Sequence, residues 1–431
     1  MMNFKIMLAI AALSITHITQ SNAQSASLSL RQCKTQALEN NRKIKAAQNE
    51  IDAAKAAHKS AEASAYPTLD GSVMGIYLGK PLGGALNGMI PEYMASGSLN
   101  AAQPLYVGGK IKNGKAAVAL GVGIREDQKY LAETEVLLNV EKAYWQVVQV
   151  KEKIKLANRY KSMLDSLRKD LQNSYDAGLI YKNDLLKVEV NLNEAELNLN
   201  KVEDGLVMAK LNLAQITGNP GKTDFELSDS VIVGINHMEM QSIESVATLR
   251  PEIKALKKAV EIQELQKKIL QGDRLPTIAL TASGLATGGK MVNIKDDSDF
   301  MATYYGLASI SFPIFDWGKK AHKVKEQKYK IAAQQQQLDE AIEFINLEVQ
   351  DSYLTMNQAA KRITLSELSL KQAEENLKLA DDRLAAGTIV GKDVLEAQAI
   401  WQQAYDSLID AKVGYKISLA VYKKAIGERT L

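Results

Sequence analysis

The chain has 431 residues, and its formal net charge of +3 is small, with acidic and basic side chains interspersed. No nucleic-acid partner is therefore predicted. Only 8 prolines and 6% aromatic residues accompany many Ala, Leu, Lys and Glu residues, which is typical of long helices and argues against compact domains. The single cysteine, Cys33, excludes an intramolecular disulfide framework.

The first residues resemble a secretory signal. Lys5 precedes an apolar stretch from Ile6 to Ile15, and Ser21-Asn22-Ala23 forms a small-x-small cleavage site. Residues 1–23 are therefore predicted to be a signal peptide and residues 24–431 the mature chain. Beyond residue 23 the longest apolar run, 116–124, is much shorter than the about 20 residues of a transmembrane helix. We expect an exported protein without a helical membrane span.

The first half of the mature chain begins with a helical pattern over Leu30–Ala65, which stops at Tyr66-Pro67 because proline restricts the residue before it. Two strand-like stretches follow, Thr68–Leu78 and Ala95–Leu105, joined by a Gly-, Pro- and Asn-rich loop over Gly79–Pro91. This stretch predicts a β-hairpin over about residues 66–107.

Helix-forming residues then continue without proline from Lys110 to Tyr175, and Gly178 ends the run as a helix cap. A further helix is predicted over Asp184–Ile216, before the break at Gly218-Asn219-Pro220. The long helix would span about 100 Å. The two shorter helices together match that length, so we expect them to stack end to end along the long one.

The same order of elements returns after 209 residues without a gap. The second half predicts a helix over Pro251–Gly272, a hairpin over about residues 275–315, a helix over Lys319–Leu384, a turn at Gly387 and a helix over Asp393–Ala425. We predict one elongated protomer of two repeats, 24–220 and 250–431, joined by an equatorial segment, 221–249. The fold class is mostly α with a minor β part.

The predicted return helix of the first repeat carries a heptad seam, which is typical of an antiparallel coiled coil. Its two apolar positions are Leu192, Leu199, Leu206 and Leu213, and Ala195, Val202, Ala209 and Ile216. Small alanines in so long a seam favour helices that lie side by side in a curved wall.

The hairpins alternate between apolar and polar residues, as a tilted outer-membrane strand does. Tyr304, Gly306, Ala308, Ile310, Phe312 and Ile314 share one face of the last strand. A small soluble sheet is the alternative. If the strands cross a membrane, four cannot close a barrel and an open edge is not tolerated in lipid, so several chains must combine their strands. A dimer would supply eight strands and a trimer twelve.

These residues resemble the TolC family of outer-membrane efflux channels, over about Ser29 to Glu428. The resemblance is carried by Gln103–Lys110, its echo Phe312–Lys319, and the turn from Arg383 to Gln398. It implies a homotrimer in the cell outer membrane, with a shared twelve-stranded β-barrel and a periplasmic α-barrel of coiled coils. It also implies passive conduction in tripartite efflux or type I secretion, with a periplasmic adaptor (membrane fusion) protein and an inner-membrane pump as partners.

Three groups of residues are candidate sites. Asp393, Glu396 and Asp184 follow the turns, where they cap helices or, in a trimer, form acidic rings at a periplasmic gate. Turn residues that meet the adaptor or pack within the chain are Gly178, Leu179, Ile180, Gly387, Ile389 and Val390. Strand–helix junctions and an aromatic girdle next to outer-membrane lipid are predicted at Pro104, Tyr106, Pro313, Phe315 and Trp317. The arginine that clamps the closed tip in one family member is replaced here by Ile389.

Catalysis finds no support in the sequence. The histidines of the mature chain, His58, His237 and His322, lack metal-site spacing, and there is no phosphate loop or nucleophile elbow. We predict no metal, no cofactor and no enzymatic activity. The alternative function is a periplasmic coiled-coil adaptor or scaffold protein with a small soluble sheet.

Overall fold

The computed structural model describes residues 26–77, 93–230, 234, 238–240, 246, 249–293 and 298–428. The predicted signal peptide, the hairpin loop 79–91 and His237 lie outside the described residues. The first repeat consists of β1 (Ala26–Leu28), α1 (Leu30–Asn40), α2 (Arg42–Ala63), β2 (Thr68–Tyr77), β3 (Tyr93–Val107), α3 (Lys110–Asp176) and α4 (Lys182–Ile216).

A short strand, β4 (Phe225–Leu227), follows the first repeat and pairs in parallel with β1. The second repeat consists of α5 (Pro251–Gly272), β5 (Thr277–Asn293), β6 (Ser298–Ser311), α6 (Lys319–Ala385) and α7 (Gly391–Ala425). The predicted long helices and return helices are confirmed to within a few residues, and α3 and α6 have 67 residues each.

The helices form a wall of four rows. One end row holds α1, α2 and α4, which all pack on α3. The next rows are α3 itself, then α5 and α7, and finally α6. Because α5 and α7 each contact both long helices, the second repeat is packed directly against the first. The predicted stacking of two shorter helices along a long one is therefore seen in both repeats.

Ion pairs cross between the rows. On the sheet side, the Lys258 ammonium of α5 lies 2.6 Å from the Asp127 carboxylate of α3. Nearer the turns, Lys153 of α3 lies 3.0 Å from Asp406 and 2.8 Å from Asp410 of α7. Burial acts to lower the pKa of Lys153, but hydrogen bonds to these two carboxylates outweigh it and raise the pKa.

The predicted heptad seam is the core of the first coiled coil. Leu199, Leu213, Ala195 and Ala209 are buried, and Leu206 and Ile216 pack against the apolar cluster that contains Leu213 and Ala209. The apolar side chains face α3 along the whole return helix. Burial of these side chains is therefore the main contribution that stabilises the packing of α4 on α3.

The prediction of one unbroken helix over Leu30–Ala65 is wrong, because the helix breaks at Asn41. Asn41 has extended backbone angles (φ −64°, ψ 130°), ends α1 and caps α2. Its side-chain oxygen accepts a hydrogen bond from the Lys43 N–H, and its amide donates to the Ile216 carbonyl at 2.8 Å. Asparagine favours such caps over helix interiors, so this residue type was itself the missed signal.

The second repeat has an equivalent contact at the position 209 residues later. Arg250 is almost fully buried and precedes α5, and its guanidinium donates to the Ala425 carbonyl at 2.7 Å. Glu348 accepts from Arg250 and Lys424, both at 2.9 Å. Burial acts to raise the pKa of Glu348, but the hydrogen bond from Lys424 and the Arg250 charge outweigh it and lower the pKa. In both repeats a polar side chain thus connects the start of a short helix to the last carbonyl of the return helix.

The four longer strands form one antiparallel sheet in the order β2-β3-β5-β6. Its register aligns apolar residues on one face: Leu69, Val73, Leu99, Leu280, Tyr304 and Ile310. The opposite face carries Ser72, bonded to Ser98 at 2.8 Å, and Ser283, which donates to Asn100. Most of the apolar face is uncovered, and Tyr304 is 90% exposed.

One feature of the sheet differs from the prediction, and a second feature was not predicted. The strand β6 ends at Ser311, so Phe312 and Ile314, predicted on its apolar face, lie beyond it. The register between β3 and β5 shifts between Pro104 and Tyr106, where proline has no N–H to donate to the ladder. Within the described residues, none of the helices has a segment long and apolar enough to cross a membrane.

Substitution of Asn41 by Ala should lower the free energy of unfolding by about 1–2 kcal/mol, because a helix cap and an interhelical hydrogen bond are both lost. Urea unfolding of the purified protein, followed by circular dichroism, measures the change. Asn200→Ala, at an exposed site on α4, is the matched control and should leave stability nearly unchanged. Equal stability of the two variants would contradict the capping role of Asn41.

Candidate functional site

The end of the wall opposite the sheet consists of two turns of the same construction. Gly178 (φ 73°) and Gly387 (φ 69°) lie in turns, as predicted, and both adopt the left-handed conformation that glycine allows. The N–H of Leu179 donates to the Ser174 carbonyl, and the N–H of Thr388 donates to the Arg383 carbonyl. These bonds define a Schellman cap, which ends each long helix and reverses the chain. Together the two turns are called the tip.

The apolar residues of the tip divide into two kinds. Ile180 and Ile389 are partly buried against the apolar cluster that holds the ends of the long helices together. Leu179, Tyr181 and Val390 point outward and are 78%, 84% and 54% exposed. Of the predicted contact residues, Leu179 and Val390 are therefore accessible, whereas the isoleucines pack within the chain. Tyr181 was not predicted as a contact, although it lies within three residues of the turn glycine.

A close contact next to the turns joins the two coiled coils. Gly391, the first residue of α7, lies on Leu171 of α3, and a Cβ at this glycine would come within 2.6 Å of a Leu171 methyl carbon. The glycine therefore allows the second coiled coil to approach the first at the tip.

Carboxylates lie at the start of both return helices. Asp184 and Asp393 are both the third helical residue, one turn inside the N-caps Tyr181 and Val390. The Asp393 carboxylate accepts a hydrogen bond from the Val390 N–H at 3.3 Å, and Asp184 pairs with Lys187 at 3.3 Å. Helix N-termini favour such negative charges. Asp393 and the neighbouring Glu396 are exposed and form no ion pair with any described residue.

An acidic groove of about 740 Å³ lies beside the tip, between the ends of α3 and α6. Asp170 and Asp381 line it on opposite sides, and Arg159 is the one basic residue among the residues that line it. Burial raises the pKa of Asp381, and the charges of Asp382 and Asp170 raise it further. Gln398 also lines the groove, and its buried side-chain oxygen has no hydrogen-bond partner among the described residues. Carboxylates therefore lie both at the start of the return helices and in the groove beside the tip.

The predicted junction residues lie at the other end of the wall, where the sheet meets the helices. Pro104 and Tyr106 flank the register shift of β3, and Pro313 follows the end of β6. Phe315 and Trp317 are strongly exposed, with their ring centroids 4.9 Å apart. The structure thus brings these aromatic side chains together at the base of the apolar face.

The two repeats differ at one junction residue. Gly108 (φ 65°) lies against α5, and a Cβ there would come within 2.3 Å of the Gly272 carbonyl oxygen. The equivalent residue is Trp317, which keeps a left-handed φ of 55° and is 88% exposed. This conformation costs a residue with a side chain about 1–3 kcal/mol.

These features define a class of protein: an elongated, internally duplicated protomer with an open apolar sheet at one end and acidic helical turns at the other. The family model described as "Outer membrane efflux protein" matches residues 34–219 and 243–428, one match for each repeat. The chain belongs to this family, which confirms the family resemblance.

Known proteins of similar sequence include "Outer membrane protein TolC" of Escherichia coli (strain K12), 24% identical over 329 residues, covering 73% of this chain and 64% of that protein. "Alkaline protease secretion protein AprF" of Pseudomonas aeruginosa is 22% identical over 330 residues, covering 74% of this chain and 66% of that protein. The chain spans less than two thirds of the length of these relatives.

Solved structures share the fold over nearly the whole chain. The Campylobacter jejuni CmeC outer membrane channel gives a TM-score of 0.79 at 19% identity, covering 92% of this chain and 85% of that one. The open state of the Neisseria gonorrhoeae MtrE outer membrane channel gives 0.78 at 19% identity, covering 93% and 89%. At these identities the likeness concerns the fold.

A matched pair of double variants should separate the two kinds of tip residue. Leu179→Asp with Val390→Asp should leave the tip folded, because both side chains are already in water. Ile180→Asp with Ile389→Asp places charge against an apolar cluster and should reduce amide protection at the tip by about tenfold or more. Hydrogen exchange of residues 167–188 and 380–398 measures the effect. Equal protection in both variants would contradict this division.

Proposed function

We propose that the protein is a homotrimeric channel of the outer membrane, in a tripartite efflux or type I secretion system. It conducts substrate passively from a periplasmic adaptor and an inner-membrane pump to the exterior. The observation that carries this proposal is the sheet: it has an apolar, largely uncovered face and two edges without a further described strand. Such a face suits lipid, whereas an open edge in lipid leaves backbone groups unpaired.

The helical wall, like the sheet, supports the association of several copies side by side. Its end rows are α6 on one side and α1, α2 and α4 on the other, and they continue into the edge strands β6 and β2. Both end rows carry exposed apolar side chains at heptad-like spacing. On α4 these are Leu186, Val190, Leu197 and Met208, and on α6 Phe344, Leu347, Leu354, Leu365 and Leu368.

The two end rows present different surfaces, which favours head-to-tail association of copies. Such an assembly closes into a ring when the rotation between neighbouring copies permits it. The β6 edge of one copy would pair with the β2 edge of the next, and α6 would pack against the next copy's α4. Three copies, the number that the family resemblance implies, would give a barrel of twelve strands. The helical walls would continue it as a tunnel on the periplasmic side.

The protein would provide a passive channel and would not supply the energy for transport. A passive conduit requires neither cofactor nor catalytic group, so the pump partner must supply the driving force. The relative from Pseudomonas aeruginosa is named for alkaline protease secretion and the family for efflux. Both uses of such a conduit are therefore retained in the proposal.

The acidic residues of the tip would form the periplasmic gate. Asp393 and Glu396 are exposed, and three residues apart they lie on one side of α7. In a trimer each position would give a ring of three carboxylates, with Asp184 close to the turn on α4. Rings of carboxylates attract cations and repel one another. They would therefore select cations and make the entrance of the channel sensitive to cations.

Planar-bilayer recording of the purified protein tests the channel and the gate together. The wild type should conduct with a preference for cations. Asp393→Asn with Glu396→Gln should lose that preference and still conduct, because the charges are removed at nearly constant size.

The matched control is Glu203→Gln with Asp204→Asn, exposed on α4 at about 30 Å from Asp184. It should behave as the wild type. Unchanged selectivity in the Asp393 and Glu396 variant would remove the gate from the proposal. A protein that never conducts, or that fractionates away from membranes, would contradict the channel itself.

The exposed tip residues would meet the adaptor. Leu179 and Val390 are accessible apolar side chains beside an acidic groove, and such side chains at a turn favour a partner. Leu179→Asp with Val390→Asp should therefore abolish copurification of the adaptor and leave the size of the assembly unchanged. Loss of the assembly, or full retention of the adaptor, would contradict the contact.

A further inference from the structure

We propose that a ring of basic side chains just below the sheet binds the anionic headgroups of phospholipids in the membrane leaflet next to the helical wall. This inference rests on the proposed outer-membrane location. The ring, called the basic collar, is formed by Lys112, Lys268, Arg274, Lys319, Lys323 and Lys325, all of which are exposed.

The collar lies at one level because the strands begin and end together there. Val107 pairs with Thr277, and Thr277 pairs with Ser311, so the ends of β3, β5 and β6 are side by side. The cations occur within the adjoining ends of α3, α5 and α6 and the loop before β5. On α6, Lys325 is only about 9 Å along the axis from Lys319.

Among the residues that the structure describes, little of the collar's positive charge is neutralised. Residues 319–328 contain five lysines and a single acidic residue, Glu326. That carboxylate pairs with Lys330 at 2.6 Å, and the Asp316 carboxylate accepts from the Gly318 and Lys320 N–H groups.

Two acidic residues near the sheet end of α5 are also paired. Asp273 pairs with Lys110 at 2.5 Å, and Glu264 pairs with Lys267. None of the six collar cations forms an ion pair with a described residue. Lys330 lowers the pKa of the Glu326 carboxyl most strongly, and the charge of Lys323 also helps to lower it. The local surface therefore keeps a net positive charge.

The exposed junction residues indicate where this charge lies relative to lipid. Ile314, Phe315 and Trp317 directly precede the α6 part of the collar and are 88%, 73% and 88% exposed. Trp317 keeps an unfavourable left-handed conformation and contacts little of its own chain besides Phe315, so its position favours an external apolar partner. Aromatic side chains of membrane proteins collect at headgroup level.

Lysines immediately beyond such a belt meet the phosphate layer, where each basic residue attracts anionic lipid. Headgroups presented together in a bilayer fit a ring of cations, because long lysine and arginine side chains that start at different heights can reach the same layer of anions. A single free phosphate cannot span the ring. The charged partner is therefore lipid.

Quenching of Trp317 by brominated lipids measures the composition of the neighbouring lipid. The full-length assembly would be reconstituted into phosphatidylcholine vesicles with a minor fraction of either brominated phosphatidylglycerol or brominated phosphatidylcholine. Subtraction of the Trp317→Phe protein removes the signal of Trp145 and Trp401, which are buried. We expect at least about threefold more quenching by the anionic lipid.

Lys319→Gln, Lys323→Gln and Lys325→Gln together should bring the two quenching values close to each other. The matched control is Lys361→Gln, Lys371→Gln and Lys378→Gln, exposed on the same helix toward the tip. It should keep the wild-type preference. Addition of inorganic phosphate at constant ionic strength should change nothing.

Equal quenching by both lipids in the wild type would overturn the collar and leave the outer-membrane proposal intact. Loss of the preference with inorganic phosphate would overturn it in favour of a free-anion site. A collar variant with altered ion selectivity and an unchanged lipid preference would overturn it as well, because the lysines would then line the channel. No quenching of Trp317 by either lipid would contradict membrane insertion itself.

Discussion

The structure depends on one constraint: the backbone N–H and C=O groups at the edges of the open sheet need hydrogen-bond partners. Among the described strands, the order β2-β3-β5-β6 leaves one side of β2 and one side of β6 without a partner, and the face beside them is apolar. In water these edges would be solvated, but beside lipid each unpaired N–H and C=O group costs several kcal/mol. In the proposed membrane location the edges therefore require strands of neighbouring copies, and the exposed apolar stripes on α4 and α6 would pack against the helices of the same copies.

The duplicated sequence meets this requirement because it sets equivalent elements at equal intervals. Each repeat supplies one hairpin, one long helix and one row of shorter helices, so the hairpins lie together at one end and the turns at the other. The contacts of Asn41 and Arg250 with the end of each return helix fix the level at which the shorter helices meet. Asn41 and Arg250 make equivalent contacts with different side chains, because the acceptor in each repeat is a backbone carbonyl.

Much of this arrangement could be predicted from the sequence. Long proline-free stretches, turn glycines and the lag of 209 residues determine the helices and their order, because each is a local signal. The break at Asn41 could have been read from the residue type. The exposure of Leu179 and the burial of Ile180 could not, because adjacent apolar residues in a turn differ only in their tertiary contacts. The parallel pairing of β1 with β4 joins residues about 200 positions apart and leaves no periodic signal.

The same limit applies to the charged regions. The lysines at the start of α6 are visible in the sequence, but their freedom from ion pairs follows only from the partners that Asp316 and Glu326 find. Likewise, the structure alone shows that Trp317 is left-handed and exposed, at the position where the first repeat has Gly108 packed against Gly272. Sequence therefore identifies the elements, and the structure identifies which side chains remain available for a partner.

The most direct measurement is the mass of the intact assembly released from lipid, by native mass spectrometry. Closure of the strand edges between copies predicts a single species of three mature chains, with no stable lone chain. A lone chain that remains folded and inserted in lipid would contradict the account, because its two strand edges would then need no neighbours.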